Sequence, residues 1–178
     1  TGTFATSLAA ADPTGLVDMQ ARAWSDELLA YAGLDPSRVP ALVEPGAILG
    51  TLTDDAARST GLPLGLPLIA RAGDGQAAGL GAAIDGAGRA SLNLGTALVC
   101  GVLSRTYRTD DAFRTLYGAM PGTYFLETDL KGGTFTVSWL VERLLPHASR
   151  ARDAIAELDL AARALPPGAD GLLLVPYW

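Results

Sequence analysis

Residues 69–103 read IARAGDGQAAGLGAAIDGAGRASLNLGTALVCGVL, and the way this stretch breaks decides the fold class. An apolar run, Pro67 to Ala72, ends at Gly73-Asp74-Gly75. Gln76 to Ile84 is small and apolar enough for a closely packed helix, and Asp85 to Gly88 interrupts it. Arg89 to Leu94 and Ala97 to Leu103 then read as strands separated by Gly95-Thr96. Two strands two residues apart, with glycine first in the turn, predict a type II′ hairpin. Strand, helix and hairpin in succession make the class α/β with mixed sheets.

Upstream, Asp12-Pro13-Thr14-Gly15 is a turn signal and Leu16 to Met19 a short strand. Ser25 caps a helix with Asp26 and Glu27 in its first turn, where they suit the helix dipole. Leu28, Leu29 and Tyr31 form its apolar face, and Gly33 stops it. Val43 to Leu52 is turn-rich with a strand at Ile48 to Leu52, and Thr53 caps a helix over Asp54 to Thr60 that Gly61 ends. Downstream, Tyr107 to Met120 reads as loop, Thr123 to Leu130 as strand and Lys131-Gly132-Gly133-Thr134 as turn. Val137 to Leu145 and Arg150 to Leu165 have helical spacing, and Gly171 to Val175 reads as a last strand. The Gly86 to Gly88 break is the candidate hinge, dividing residues 1–86 from 87–178. The chain stops just after an apolar run, which predicts a piece of something longer.

Composition narrows the chemistry. Hydrophobic residues make up 49% and charged residues 18%, enough apolar surface for a core. A net charge of −6, with scattered arginines and Lys131 as the one lysine, argues against a nucleic-acid surface or an anionic membrane partner. No apolar run approaches the ~20 residues of a spanning helix. Cys100 and His147 are single, so neither a disulfide framework nor a histidine metal cluster arises, and no metal-ligating set is expected. Cys100, mid-strand, is expected to be buried. Trp24 and Trp139 are expected to pack, and Asp110-Asp111 to be solvated. A reducing, cytoplasmic setting fits this composition.

Asp74 stands where a strand ends and a helix begins, the place where open α/β folds bind ligands. An aspartate there commonly caps the helix. It can also accept the proton of an attacking hydroxyl, and glycine on both sides lets a ligand approach closely. Gly95-Thr96 can be a plain hairpin turn or can aim backbone N–H groups and a hydroxyl at a phosphate. Gly132-Gly133 can be a strand-to-helix turn or can expose helix N-terminal amides to an anion.

The order of these motifs is more specific than any one of them. Strand, Gly73-Asp74-Gly75, small-residue helix, glycine break, strand, Leu94-Gly95-Thr96, strand, Gly132-Gly133 and a helix bearing Ser138-Trp139-Leu140 together resemble the FGGY family of carbohydrate kinases, above all its xylulokinase-like branch. Thr6, Thr14, Asp18 and Trp24-Ser25-Asp26-Glu27-Leu28-Leu29 extend the resemblance upstream. The run from Pro166-Pro167-Gly168 to Leu174-Val175-Pro176-Tyr177 extends it downstream. The resemblance implies an actin-like, ribonuclease H-like ATPase fold. Residues 1–86 would end its sugar-side domain and 87–178 begin its ATP-side domain. It implies transfer of the ATP γ-phosphoryl group to a hydroxyl of a xylulose-like ketose or a polyol, with Mg²⁺ arriving with ATP. By resemblance Asp74 is the base, and Asp74, Gly75 and Gln76 meet the substrate. Gly95 and Thr96 hold the phosphates, and Gly132 or Gly133 lies near the nucleotide. The partners implied are the small-molecule substrate and ATP; a homodimer is left open. The piece alone is expected to be inactive. The rival reading is a non-catalytic actin-like nucleotide-binding module with a regulatory or assembly role.

Overall fold

The computed structural model describes residues 1–86, 88–144 and 151–175. By contacts the chain forms two units, residues 1–91 with 101–127, and residues 92–100 with 128–178. Residues 101–127 thus group with the earlier part of the chain although they follow the Gly86 to Gly88 break.

The first unit opens with β1 (Ala5–Ser7) and the short helix α1 (Leu8–Ala11). Ser7 joins them, because its Oγ accepts from the Ala10 amide at 3.0 Å and so satisfies a free donor of the first turn. The same hydroxyl donates to the Arg71 carbonyl, which ties α1 to the residues just before Gly73. β2 (Val17–Asp18) and β3 (Ala23–Trp24) pair antiparallel around a turn that Asp18 closes by accepting from the Gln20 and Ala21 amides at 2.9 and 2.8 Å. α2 (Asp26–Tyr31) starts at Ser25, whose Oγ accepts from the Leu28 amide at 3.3 Å. It stops where Gly33 takes the left-handed conformation, as the sequence predicts. β4 (Ala41–Val43) pairs in parallel with β1. β5 (Ile48–Thr51) and β6 (Pro67–Ile69) pair antiparallel and flank α3 (Asp54–Thr60). Thr53 sits at the N-cap of α3, but its side chain makes no capping hydrogen bond. α4 (Asp74–Gly81) follows β6 directly.

A four-stranded sheet comes next, with β7 (Ala90–Leu94), β8 (Leu98–Ser104), β9 (Arg114–Tyr117) and β10 (Tyr124–Leu130) in the order β7-β8-β10-β9. The core of the first unit lies under α1, where Leu8, Ala9, Ala11 and Val17 meet Tyr117 of β9 and Tyr124 of β10. The two tyrosine rings stack at 5.5 Å, and Trp24 packs against this cluster as expected of it. In the second unit α5 (Thr134–Leu144) packs against α6 (Ala151–Arg163), with Val141 and Ala154 buried.

Four expectations are corrected, and three elements arise that the sequence does not announce. Tyr107 to Met120 is not all loop: Arg114–Tyr117 pairs with β10, a four-residue strand too short for its alternation to stand out. β1, α1 and β4 arise in stretches with no clear period, and tertiary contact fixes them. Gly171 to Val175 is not a strand. Ala169–Gly171 is a single 3-10 turn, and the exposed Leu172 to Val175 has no strand partner among the described residues. Cys100 is exposed, since Gly101 takes the buried position of β8. The Gly95-Thr96 turn is not type II′: the loop is three residues, Gly95 to Ala97, and Gly95 does not adopt positive φ. His147 and Leu145 lie outside the described residues. Among the described residues no helix is long and apolar enough to cross a membrane.

Candidate functional site

Asp74 is the first residue of α4, with Gly73 at the cap position before it. It therefore carries its charge within the first helical turn rather than serving as the cap itself. Its carboxylate is exposed, and Oδ1 accepts from the Gly75 amide at 2.9 Å. That bond uses one donor of the first turn and leaves Oδ2 for another partner.

The glycines on either side have different reasons to be there. A Cβ on Gly73 would collide with the Gln76 side-chain amide, which lies over Gly73 and would have to shift to admit it. Gln76 is buried by that arrangement. A Cβ on Gly75 would meet only Glu127 Oε2, at 3.8 Å, an ordinary contact. Packing inside the protein therefore does not demand glycine at 75, and the space beside Asp74 stays open.

Small residues also set where α4 lies. A Cβ on Gly79 would come within 3.2 Å of the Phe125 ring. The same ring leaves no room for a Cβ on Gly101. Phe125 of β10 is thus clamped between two glycines, and α4 is held against the sheet by it. Two residues further along β10, Glu127 is buried and accepts from Arg114 Nε at 2.7 Å and from Arg114 Nη2. An ion pair with one partner buried stands below the first turn of α4.

The nucleotide candidates come together in the second unit. Gly133 donates its amide to the Thr96 carbonyl at 2.9 Å, and Thr134 donates to the Gly95 carbonyl at 2.9 Å. Two N-terminal amides of α5 are therefore occupied by the loop and are not free for an anion. A Cβ on Gly133 would lie 2.5 Å from the Gly95 oxygen and 2.7 Å from the Thr96 oxygen. Gly133 is glycine so that the helix start can touch the loop. The loop carbonyls are turned onto α5, while the Thr96 side chain stays exposed. Thr136, on the first turn of α5, is buried, and its hydroxyl has no partner among the described residues. Gly132 is half-buried beside Gly133.

Sequence reasoning passed over two acidic residues. Glu127 left one signal, an acid two positions after Phe125 on the same face of a strand. Asp12 left none, since Asp12-Pro13 reads as a turn. Its Oδ2 accepts from the Tyr117 amide at 2.6 Å, while Oδ1 is buried without a partner among the described residues. Burial lifts its pKa to about 6, against the Tyr117 amide and the nearby Arg114 charge, which both pull it down. Among the described residues no three His, Cys, Asp or Glu side chains gather as a metal site. Asp110, half of the adjacent acidic pair, accepts from the Ala112 amide at 2.9 Å in its own loop.

The model of the FGGY family of carbohydrate kinases, N-terminal domain, matches residues 1–81. An L-fuculokinase of Salmonella typhi is 33% identical over 178 residues, covering 97% of this chain and 36% of that protein. The crystal structure of xylulose kinase from Rhodospirillum rubrum superposes with a TM-score of 0.89 at 34% identity, covering 99% of this chain and 36% of that one. A gluconate kinase structure from Lactobacillus acidophilus, 20% identical, has a TM-score of 0.82 over 99% of this chain and 35% of its own, a likeness of fold alone. The chain spans about a third of the length of these relatives. The fold is the actin-like, ribonuclease H-like α/β fold that the motif order implied.

Proposed function

Because the chain belongs to the FGGY family of carbohydrate kinases, we propose that the protein containing it transfers the γ-phosphoryl group of ATP to a hydroxyl of a ketose, xylulose-like, or of a polyol. The observation that carries this reading is Asp74: an exposed carboxylate on the first turn of α4, beside a glycine that packing does not require.

In the proposed step Asp74 accepts the proton of the substrate hydroxyl as its oxygen bonds to the γ-phosphorus. The bond from that phosphorus to the bridging oxygen breaks, and ADP leaves with the electron pair. Gly75 gives the substrate room. Gln76 acts by position, since its side chain packs on Gly73 and fixes the turn that bears Asp74. Gly95 and Thr96 meet the phosphates, with the exposed Thr96 hydroxyl as a donor. Gly133 shapes that loop, and Gly132, half-buried beside it, lies near the nucleotide. Residues 1–86 are assigned to the sugar-side domain and 87–178 to the ATP-side domain.

Magnesium would arrive with ATP. That ion is usually held by one or two carboxylates and the phosphates rather than by a protein cage. When bound it neutralises charge on the β- and γ-phosphate oxygens.

The test is a panel of ketopentoses, ketohexoses and polyols with full-length protein and ATP, read as ADP release. Asp74→Asn is expected to lower turnover by about 10²- to 10⁴-fold and to leave ATP affinity nearly intact. Wild-type turnover in that variant overturns the base assignment. The 178-residue piece alone is expected to release no ADP above background.

A further inference from the structure

A second candidate site lies in the first unit, away from Asp74. Where β8 ends, a cavity of about 400 Å³ is lined by Val102, Leu103 and Leu126 on its apolar side, and by Ser104, Arg105, Thr106 and Arg108 with Gly86 on the other. Its size falls within the range of small-metabolite pockets. No carboxylate lines it.

Five arginines form ion pairs among the described residues, and Arg38, Arg71, Arg105, Arg108 and Arg143 do not; of these, Arg105 and Arg108 share one cavity. Arg22, Arg58, Arg89, Arg114 and Arg163 each hold a carboxylate. Asp85, next to the cavity wall at Gly86, is itself taken up by Arg89 at 3.0 Å. Neither Arg105 nor Arg108 has an acidic partner among the described residues, although the chain carries a net charge of −6. Both residues are exposed, so water solvates them in the free chain, and an anion seated between them would gain from both charges.

The backbone beneath them is held in place. Ser104 Oγ donates to the Thr106 carbonyl at 2.7 Å and accepts from the Thr106 amide at 3.1 Å. Thr115 Oγ1, on β9, donates to the Arg108 carbonyl. The turn that presents both cations is therefore fixed by its own hydroxyls and by the neighbouring strand. Guanidinium forks match phosphate oxygens in pairs. A phosphate monoester carries a charge of about −1.5 to −2 at neutral pH, close to what two arginines leave uncompensated.

We propose that this cavity is a second ligand site, independent of the phosphotransfer reading, which takes a small phosphate monoester: Arg105 and Arg108 hold the phosphate, and Val102, Leu103 and Leu126 hold the body of the molecule. The probes are phenyl phosphate, inorganic phosphate and neutral phenol, titrated by calorimetry into the full 178-residue chain. Phenyl phosphate is expected to bind at one site more tightly than inorganic phosphate, phenol not to bind, and added salt to weaken both anions. Arg105→Ala with Arg108→Ala is expected to weaken phenyl phosphate at least tenfold. The control pair Arg38→Ala with Arg143→Ala, which lies outside the cavity, should bind as the parent does. Val102→Glu, which puts an acid into the cavity, should abolish binding while circular dichroism shows an unchanged fold. Equal affinity in the cavity and control pairs overturns the proposal, as does the absence of saturation up to ~10 mM in the parent chain.

Discussion

Replacing Gly133 by alanine tests how the loop at Gly95 to Ala97 is built. The new Cβ would lie 2.5 Å from the Gly95 oxygen, 2.7 Å from the Thr96 oxygen and 2.9 Å from the Ala97 carbonyl carbon. All three neighbours are backbone, so no side-chain rotation relieves the clash. The loop and the start of α5 must separate by roughly one ångström to reach an ordinary contact. That separation stretches two hydrogen bonds, Gly133 N–H to Thr96 and Thr134 N–H to Gly95, both 2.9 Å in the parent. Overpacking of this kind costs about 1–3 kcal/mol, and each weakened bond adds up to about 1 kcal/mol. Urea denaturation should thus show a loss of about 2–4 kcal/mol. A displacement of this size at a phosphate-holding loop should also weaken ATP about tenfold or more in calorimetry on full-length protein. Gly81→Ala is the control, since its Cβ meets nothing within 4 Å and its backbone is helical. It should be neutral or slightly stabilising. If Gly133→Ala matches the parent in both stability and nucleotide affinity, the close approach does not shape the loop and the argument fails.

Other perturbations read out other parts of the molecule. Asp12 is ionised less readily in the fold than in the unfolded chain, its pKa being raised from 3.8 to about 6. The native state therefore binds the extra proton, and stability should fall as pH rises from about 4 to 7, by on the order of 1 kcal/mol once partial solvent screening is allowed for. Asp12→Asn should flatten that dependence in urea titrations at each pH, and an unchanged slope would refute the assignment. Arg114→Ala strands the buried Glu127 and should cost about 2 kcal/mol, less than a fully buried pair because Arg114 is largely exposed. A loss below ~0.5 kcal/mol would mean that water reaches Glu127. Gly101→Ala, which collides with the buried Phe125 ring, should lower the thermal midpoint, and retention of the parent midpoint would show that the ring can move aside.

The sequence made some elements legible because local chemistry decides them. Ser25 caps α2 and Gly33 ends it, as any chain with that pattern would have it. Asp54–Thr60 is a helix between Thr53 and Gly61, although the threonine contributes position rather than a hydrogen bond. β9 was not legible. Arg114–Tyr117 has four residues, and what makes it a strand is pairing with Tyr124 to Glu127. β1 and β4 are three residues each and exist as a parallel pair 36 residues apart. No local signal encodes such a pairing. The hairpin failed for a subtler reason. A type II′ turn needs positive φ at Gly95, whereas the glycine that the loop requires is Gly133, on another element, through a close approach.

That distinction extends to the proposed base. Asp74 was legible as a carboxylate between glycines, but nothing near it in sequence explains what holds it. The answer lies on β9 and β10. Phe125 fits against Gly79 from one side and Gly101 from the other, so α4 settles on β10 only because both positions lack a side chain. Glu127 then lies under Gly75, and Arg114 on β9 neutralises it. Removing that arginine would leave a second carboxylate uncompensated beside the first turn of α4. The strand that no local pattern announces therefore supplies the cation that pairs with the buried carboxylate beneath the motif.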